Sequence, residues 1–402
     1  MLTFEQAQSV VREKLGTVKR DLKAEAAPLG QALNRVLAEN VEADRDYPPF
    51  NRSTRDGYAV RSADVGTAPA ALDCVGEVRA GESFAGQVAS TQCVRIMTGA
   101  PLPPGADAVV MFEQAHESDA RVSVQRPVEP WENVVRQGSE AAAGNVVVHE
   151  GRRLGAAELG LLASVGRKDV NVFRQPSVAI LPTGDEVVPV DRQPEWFQVR
   201  NSNAVTLEAQ VAQAGGAPRR LGVAPDDKAA LRRMIEEGLE ADLLLLSGGI
   251  SAGKYDFVEE VLKELGAEFY FHGVAIRPGK PLAFGYVRGK FFFGLPGNPV
   301  STYVTFELFV RPALGMLQGA EFEFPVFLRA RMGKPFRQKP GLTAFMPARV
   351  CLENLDPVVN LVGWQGSGDL VGVAAANCFL VVHPEQSEIP RGEWVDVLPR
   401  DA

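Results

Sequence analysis

Leu243, Leu244, Leu245 and Leu246 run directly into Ser247-Gly248-Gly249, and a helically spaced segment follows from about Phe257. A short run that is apolar at every position leaves neither face for water, so it predicts a strand buried on both sides, as in parallel sheets covered by helices. The rest of residues 176–320 fits that reading. Strand patterns at 177–181, 220–223, 242–246 and 290–293 alternate with helical spacing at 205–214, 228–239, 257–265 and 300–317. Parallel neighbours require crossover connections, and those crossovers are right-handed. The expectation is a doubly wound parallel sheet with ligands at the carboxyl ends of its strands.

The flanking sequence predicts other layers, for a multidomain α/β plus β chain. Thr3 and Gln6 have the spacing of a capping box, and Ala7, Val10, Val11 and Leu15 make one apolar stripe, so a first helix of about 12 residues is expected. Pro28 opens a second helix-spaced run through Leu29, Leu33, Val36 and Leu37, which Tyr47-Pro48-Pro49-Phe50 stops. Helical spacing returns at 154–165. Residues 1–44 and 145–175 thus read as a helical linking domain, with 45–144, rich in short apolar runs and turn residues, as a β-domain inserted into it. Residues 176–320 are the α/β domain. Residues 321–402, with Val, Phe and Leu runs broken by prolines and glycines, read as a C-terminal β-barrel-like domain.

Composition excludes several classes. With 46% apolar and 23% charged residues the chain is globular rather than disordered, and 39 glycines and 28 prolines demand many turns. A net charge of −8 argues against nucleic acid or an anionic membrane as partner, so any anion site is local. No apolar stretch approaches the ~20 residues of a membrane span, which places the chain in the cytoplasm. Cys74, Cys93, Cys351 and Cys378 lack metal-ligand spacing and read as buried free thiols. The four histidines share no spacing, and no Ser, His and acid unit is visible, so covalent nucleophilic catalysis is not indicated.

The chemistry concentrates in loops. Ser247 to Lys254, between strand and helix, suits a phosphate: glycine permits close approach, and backbone N–H groups with the positive helix end face the anion. Gly248 to Lys254 also opens like a nucleotide P-loop, but Tyr255 stands where a Mg²⁺-binding Ser or Thr belongs. Asp256, at the helix start, is placed equally well to cap that helix or to hold a metal. Arg277-Pro278-Gly279-Lys280-Pro281 holds two cations in a rigid frame suited to an oxyanion. Leu295-Pro296-Gly297-Asn298-Pro299-Val300-Ser301 and Leu181-Pro182-Thr183-Gly184-Asp185-Glu186 are further strand-end loops, and in a parallel sheet such loops converge on one crevice. In the β-domain, Asp56-Gly57 alone reads most simply as a hairpin turn.

These segments, with Pro48-Pro49-Phe50 through Asp56-Gly57-Tyr58-Ala59 and Arg95-Ile96-Met97-Thr98-Gly99-Ala100, occur together and in order over nearly the whole chain. In this the sequence resembles the molybdopterin molybdenumtransferase family, bacterial relatives of the gephyrin E domain. The resemblance implies an elongated homodimer that uses Mg²⁺ to cleave adenylylated molybdopterin, releases AMP and inserts molybdate at the dithiolene. It implies that Ser247, Gly248, Gly249 and Ser251 hold the pterin phosphate and that Glu186 and Asp256 serve metal or catalysis. Asp56 and Thr98 would approach from the partner's β-domain. Arg277, Lys280, Pro281, Ser301 and Ser367 fall near the incoming oxyanion, and Pro296, Asn298 and Pro299 complete the cofactor-binding set. An upstream molybdopterin adenylyltransferase is an expected partner. Asn51, Arg55, Arg277 and Leu342 depart from the family's usual Asp, small or apolar residue, Lys and Arg.

Two alternatives belong to other classes. A competence-type nucleotide hydrolase would share the α/β domain but would not need the Pro48 to Tyr58 motif. A non-catalytic pterin-binding scaffold would not need to keep Asp56, Glu186 and Asp256.

Overall fold

The computed structural model describes residues 1–18, 22–249 and 257–400, and the chain divides into two compact units. One comprises Met1–Glu25, Asn34–Ala38 and Asn171–Ala402; the other comprises Ala26–Leu33 and Glu39–Val170.

At the centre of the first unit is a six-stranded sheet in the order Ala217–Arg220, Ser177–Pro182, Leu243–Ser247, Lys290–Leu295, Ala283–Val287, Glu268–His272. Its first four strands are parallel and its last two antiparallel, so the sheet is mixed rather than wholly parallel. The antiparallel pair was not legible because Ala283–Val287 joins Lys290–Leu295 through a tight turn, needing no helical crossover to announce it. Ala217–Arg220 lies nearer the amino terminus than the 220–223 expected. Pro218 argues against a strand, yet this strand is at the sheet edge, where a missing N–H is tolerated.

The leucine run is buried at every position, and its alternate side chains enter two different cores. Leu243 and Leu245, with Val178, Ile180, Phe291 and Phe293, pack against the helix Ser202–Gln213 and the segment after Pro299. Leu244 and Leu246, with Ala179, Leu181 and Phe292, meet the helices Lys228–Gly238 and Phe257–Glu264.

The helix Phe4–Thr17 forms with its Thr3–Gln6 capping box in place. It packs on the α/β core: Phe4 lies edge-on to Phe309 at 5.8 Å and to Phe345 at 5.5 Å between ring centres. The second helix-spaced run does not form a helix. Leu29–Gln31 makes one tight turn, Asn34 takes a positive φ of 63°, and Leu37 bridges to Val172 in an extended pairing. The left-handed Asn34 interrupts the helix that the apolar spacing suggested, although Val36 and Leu37 are buried as expected. The expected helix at 300–317 is interrupted too, by a π turn at Phe306–Val310 between Pro299–Thr305 and Arg311–Leu317. Pro312 has no N–H to give and its ring crowds the carbonyl four residues back, a frequent cause of such a break.

The C-terminal strands Thr343–Glu353, Asp356–Leu361, Leu328–Met332, Trp394–Pro399 and Cys378–Val382 close on themselves as a five-stranded barrel. It is joined to the α/β domain by parallel pairing of Ile276–Arg277 with Thr343 and Ala344.

The second unit carries a six-stranded sheet in which Gly57–Val60 lies between Gln92–Ile96 and Ala108–Met111. Gly57 is therefore inside a strand and not in a hairpin turn. A methyl group there would come within 1.9 Å of the Val110 carbonyl oxygen, so close strand approach explains the glycine. The four cysteines are free, but only Cys93 and Cys378 are buried; Cys74 is half-buried and Cys351 exposed. Among the described residues no helix is long and apolar enough to cross a membrane.

Phe4→Ala removes a ring that is 5% exposed and should cost about 3–5 kcal/mol. Urea denaturation of the variant checks this; a loss below ~1 kcal/mol would mean that the amino-terminal helix is not docked as described.

Candidate functional site

Parallel strands end on the same edge of a sheet, and here that edge carries a cleft of about 830 Å³. Its walls are strand-end loops: Thr183, Gly184 and Glu186 after Ser177–Pro182, Gly248 and Gly249 after Leu243–Ser247, and Pro296 to Pro299 after Lys290–Leu295. The loops are tied to one another through the backbone. Thr183 N–H donates to the Ser247 carbonyl at 3.0 Å, and Gly248 N–H donates to the Leu295 carbonyl at 3.2 Å. Gly248 has φ +95°, and a Cβ on it would lie 2.9 Å from the Thr183 carbonyl oxygen, so the sequence needs glycine there for both conformation and space.

Asn203, in the first turn of Ser202–Gln213, holds two of the loops together. Its side-chain amide donates to Ser247 Oγ at 2.9 Å and to the Gly297 carbonyl at 2.7 Å. Asn201 caps the same helix by accepting from Ala204 N–H at 3.1 Å. Thr183 Oγ1 and Asn203 Oδ1 are buried polar atoms on cleft-lining residues with no hydrogen-bond partner among the described residues. Buried polar groups are seldom left unpaired in a finished site, so these two suit a polar ligand.

The acidic side of the cleft consists of Glu186 and Asp226, with Asp185 accepting from Asp226 N–H at 3.0 Å. Partial burial and the neighbouring charges of Asp185 and Glu186 raise the Asp226 carboxyl above its ordinary range. Crowded carboxylates of this kind favour a divalent cation, although no group of three or more metal-ligating side chains occurs among the described residues. Arg200 is the one cation among the described lining residues.

Of the residues singled out in the sequence, Glu186, Ser247, Gly248, Gly249, Pro281, Pro296, Asn298 and Pro299 line this cleft. Ser301 is buried in the helix Pro299–Thr305, and the Ser367 carbonyl accepts from Val300 N–H at 2.9 Å, beside lining residue Gly368. Arg277 and Lys280 are exposed and are not among the lining residues; the Arg277 guanidinium donates to Gln338 Oε1 at 2.8 Å. Ser251 and Asp256 lie outside the described residues. Asp56 and Thr98 belong to the second unit, where Asp56 Oδ1 accepts from Thr98 N–H at 2.7 Å and from Thr98 Oγ1 at 2.8 Å. Those two bonds hold the exposed Asp56 carboxyl below its usual range.

Sequence reasoning passed over Asn203, Arg200 and Asp226. Asp226 had a usable signal, since it follows the strand Ala217–Arg220 at its carboxyl end, as Glu186 follows Ser177–Pro182. Asn203 had a weaker one, a run of cap-forming residues, Asn201-Ser202-Asn203, ahead of a helix.

The family descriptions that match the chain are "MoeA N-terminal region (domain I and II)" over residues 2–166, "Probable molybdopterin binding domain" over 179–316 and "MoeA C-terminal region (domain IV)" over 329–399. Fold and cleft thus fall in the class of molybdenum-cofactor biosynthesis proteins. A molybdopterin molybdenumtransferase of Staphylococcus epidermidis is 34% identical over 375 residues, covering 92% of this chain and 90% of the relative. One from Staphylococcus aureus is 33% identical over 391 residues, covering 96% and 93%. The crystal structure of the molybdopterin biosynthesis moeA protein from Pyrococcus horikoshii OT3 superposes with a TM-score of 0.80 at 29% identity, covering 99% of this chain and 100% of that one. The chain belongs to the molybdopterin molybdenumtransferase family, and it is a transferase.

Two outcomes follow from this geometry. Gly248→Ala, strained in φ and pressed against Thr183, should weaken binding of an anionic ligand at least about tenfold, measured by calorimetry. For Asp226 the folded state holds the proton more tightly, so its contribution to stability is present below the ordinary carboxylate range and is lost as pH rises through the raised value. Asp226→Asn should therefore melt slightly higher than the wild type at neutral pH, with the difference vanishing in acid. Equal melting temperatures across that range would show that the carboxylates do not repel.

Proposed function

We propose that this chain inserts molybdate into adenylylated molybdopterin in a Mg²⁺-dependent reaction that releases AMP. The observation that carries the reading is the convergence of three glycine- and proline-rich loops on one cleft whose acidic side holds Glu186 and Asp226. The amides of Gly248 and Gly249 and the Ser247 hydroxyl bind the pterin phosphate, because backbone N–H groups can approach an anion only where side chains are absent. Asn203 keeps Ser247 and the Gly297 loop at fixed separation, so the phosphate meets a preorganised set of donors.

Glu186 and Asp226 fit a magnesium ion by charge and placement, with Asp256 the further ligand expected from the resemblance. The ion, when bound, supplies neutralisation of charge on the phosphoanhydride. Arg277, Lys280, Ser301 and Ser367 serve the molybdate, a tetrahedral dianion suited to fixed cations and hydroxyls. In this reading the enzyme works in the cytoplasm as a homodimer, with Asp56 and Thr98 contributed by the partner subunit. Its substrate comes from a molybdopterin adenylyltransferase.

Purified protein supplied with Mg²⁺, molybdate and adenylylated molybdopterin should yield AMP and active cofactor, and a chelator should stop it. Glu186→Gln should slow AMP release by at least about 10²-fold, and Asp256→Asn should lower turnover more than ligand binding. Ligand binding by the wild type without AMP release would reduce the protein to a pterin-binding scaffold.

A further inference from the structure

A cleft that receives a phosphorylated ligand needs positive charge. Among the described lining residues two are carboxylates, Glu186 and Asp226, and only Arg200 is a cation. Arg200 closes a short strand, Val199–Arg200, paired in parallel with Val187–Val188. Val199 N–H donates to the Glu186 carbonyl and Asn201 N–H to the Val188 carbonyl, both at 2.8 Å, which fixes the Arg200 backbone beside the acidic wall.

The side chain is held loosely and without neutralisation. Nε donates to the Arg192 carbonyl at 3.2 Å and Nη2 to Gln193 Oε1 at 3.3 Å, both uncharged oxygens of one loop. Five arginines of the α/β domain are paired differently: Arg219 with Glu237, Arg220 with Glu208, Arg232 with Glu264, Arg288 with Glu236 and Arg311 with Glu307. Among the described residues no carboxylate lies within ion-pair distance of Arg200, a lining residue, and no hydrogen bond engages its Nη1.

We propose that Arg200 is a specificity-determining residue: its guanidinium recognises the nucleotide phosphate of the bound ligand. A planar fork of donors matches two phosphate oxygens at once, which a lysine ammonium does not. The fork also offsets repulsion between that phosphate and the carboxylates of the adjoining wall. This inference rests on the adenylylated-substrate reading.

The test titrates wild type, Arg200→Lys and Arg200→Ala with AMP and with adenosine in a calorimeter. Arg200→Ala should lose about 10- to 100-fold in AMP affinity, as expected for a lost charge-assisted phosphate contact, while adenosine affinity stays the same. Arg200→Lys should recover part of the loss. The Km for adenylylated molybdopterin should rise in parallel with kcat little changed. AMP binding within twofold of wild type in Arg200→Ala, an equal loss for AMP and adenosine, or a wild type that binds AMP no better than adenosine would each overturn the assignment. Because Arg200 is exposed and, among the described residues, its side chain bonds only to residues 192 and 193, an unchanged melting temperature separates recognition from misfolding. Absence of AMP release by the wild type would reject the transferase reaction itself, whereas normal release by wild type and by Arg200→Ala with an unchanged Km would reject only the role of Arg200.

Discussion

The two backbone hydrogen bonds that cross the carboxyl edge of the sheet, Thr183 to Ser247 and Gly248 to Leu295, are what the cleft depends on. Each joins the end of one parallel strand to the loop of the next. Parallel pairing sets the strands in register, and these bonds carry that register past their ends, so that loops which elsewhere wander over a surface are held as rigidly as the sheet. Glycine at 248 is the condition for the arrangement, since any side chain there would meet the Thr183 backbone.

The burial of the leucine run supplies the rest of the stiffness. Leu243 to Leu246 feed alternately into two cores, and helices cover both, so the strand that delivers Ser247 and Gly248 cannot tilt without disturbing packing on both sides. A phosphate-binding loop gains from such support because donors already in place lose little entropy when the ligand arrives.

Much of this could be read from the residues. The leucine run, the alternation of strand and helix spacing and the strand-end glycines located the sheet edge and eight of the residues that line its cleft. What escaped the reading escaped for local reasons. Ala283–Val287 and Glu268–His272 pair antiparallel and leave no crossover signature, and Pro218 disguised an edge strand. The periodicity of Leu29, Leu33, Val36 and Leu37 reported burial of its later members correctly but not helical geometry, because apolar spacing carries no information about the φ of Asn34. Asn203 was missed since an amide that ties two loops acquires its importance only when those loops meet in space.

The docking of the amino-terminal helix has a consequence for the order in which the molecule is made. Phe4 leaves the ribosome well ahead of the rings it packs against, Phe309 and Phe345, which are added more than three hundred residues later. Until then the apolar stripe of Ala7, Val11 and Leu15 has no native surface to cover it, while the sheet of the second unit has all its strands within residues 57–124 and can complete its pairing first. The nascent chain thus carries an unsatisfied greasy helix while those three hundred residues are made, a period in which a chaperone would find it accessible and a product cut short before Phe309 would be left sticky.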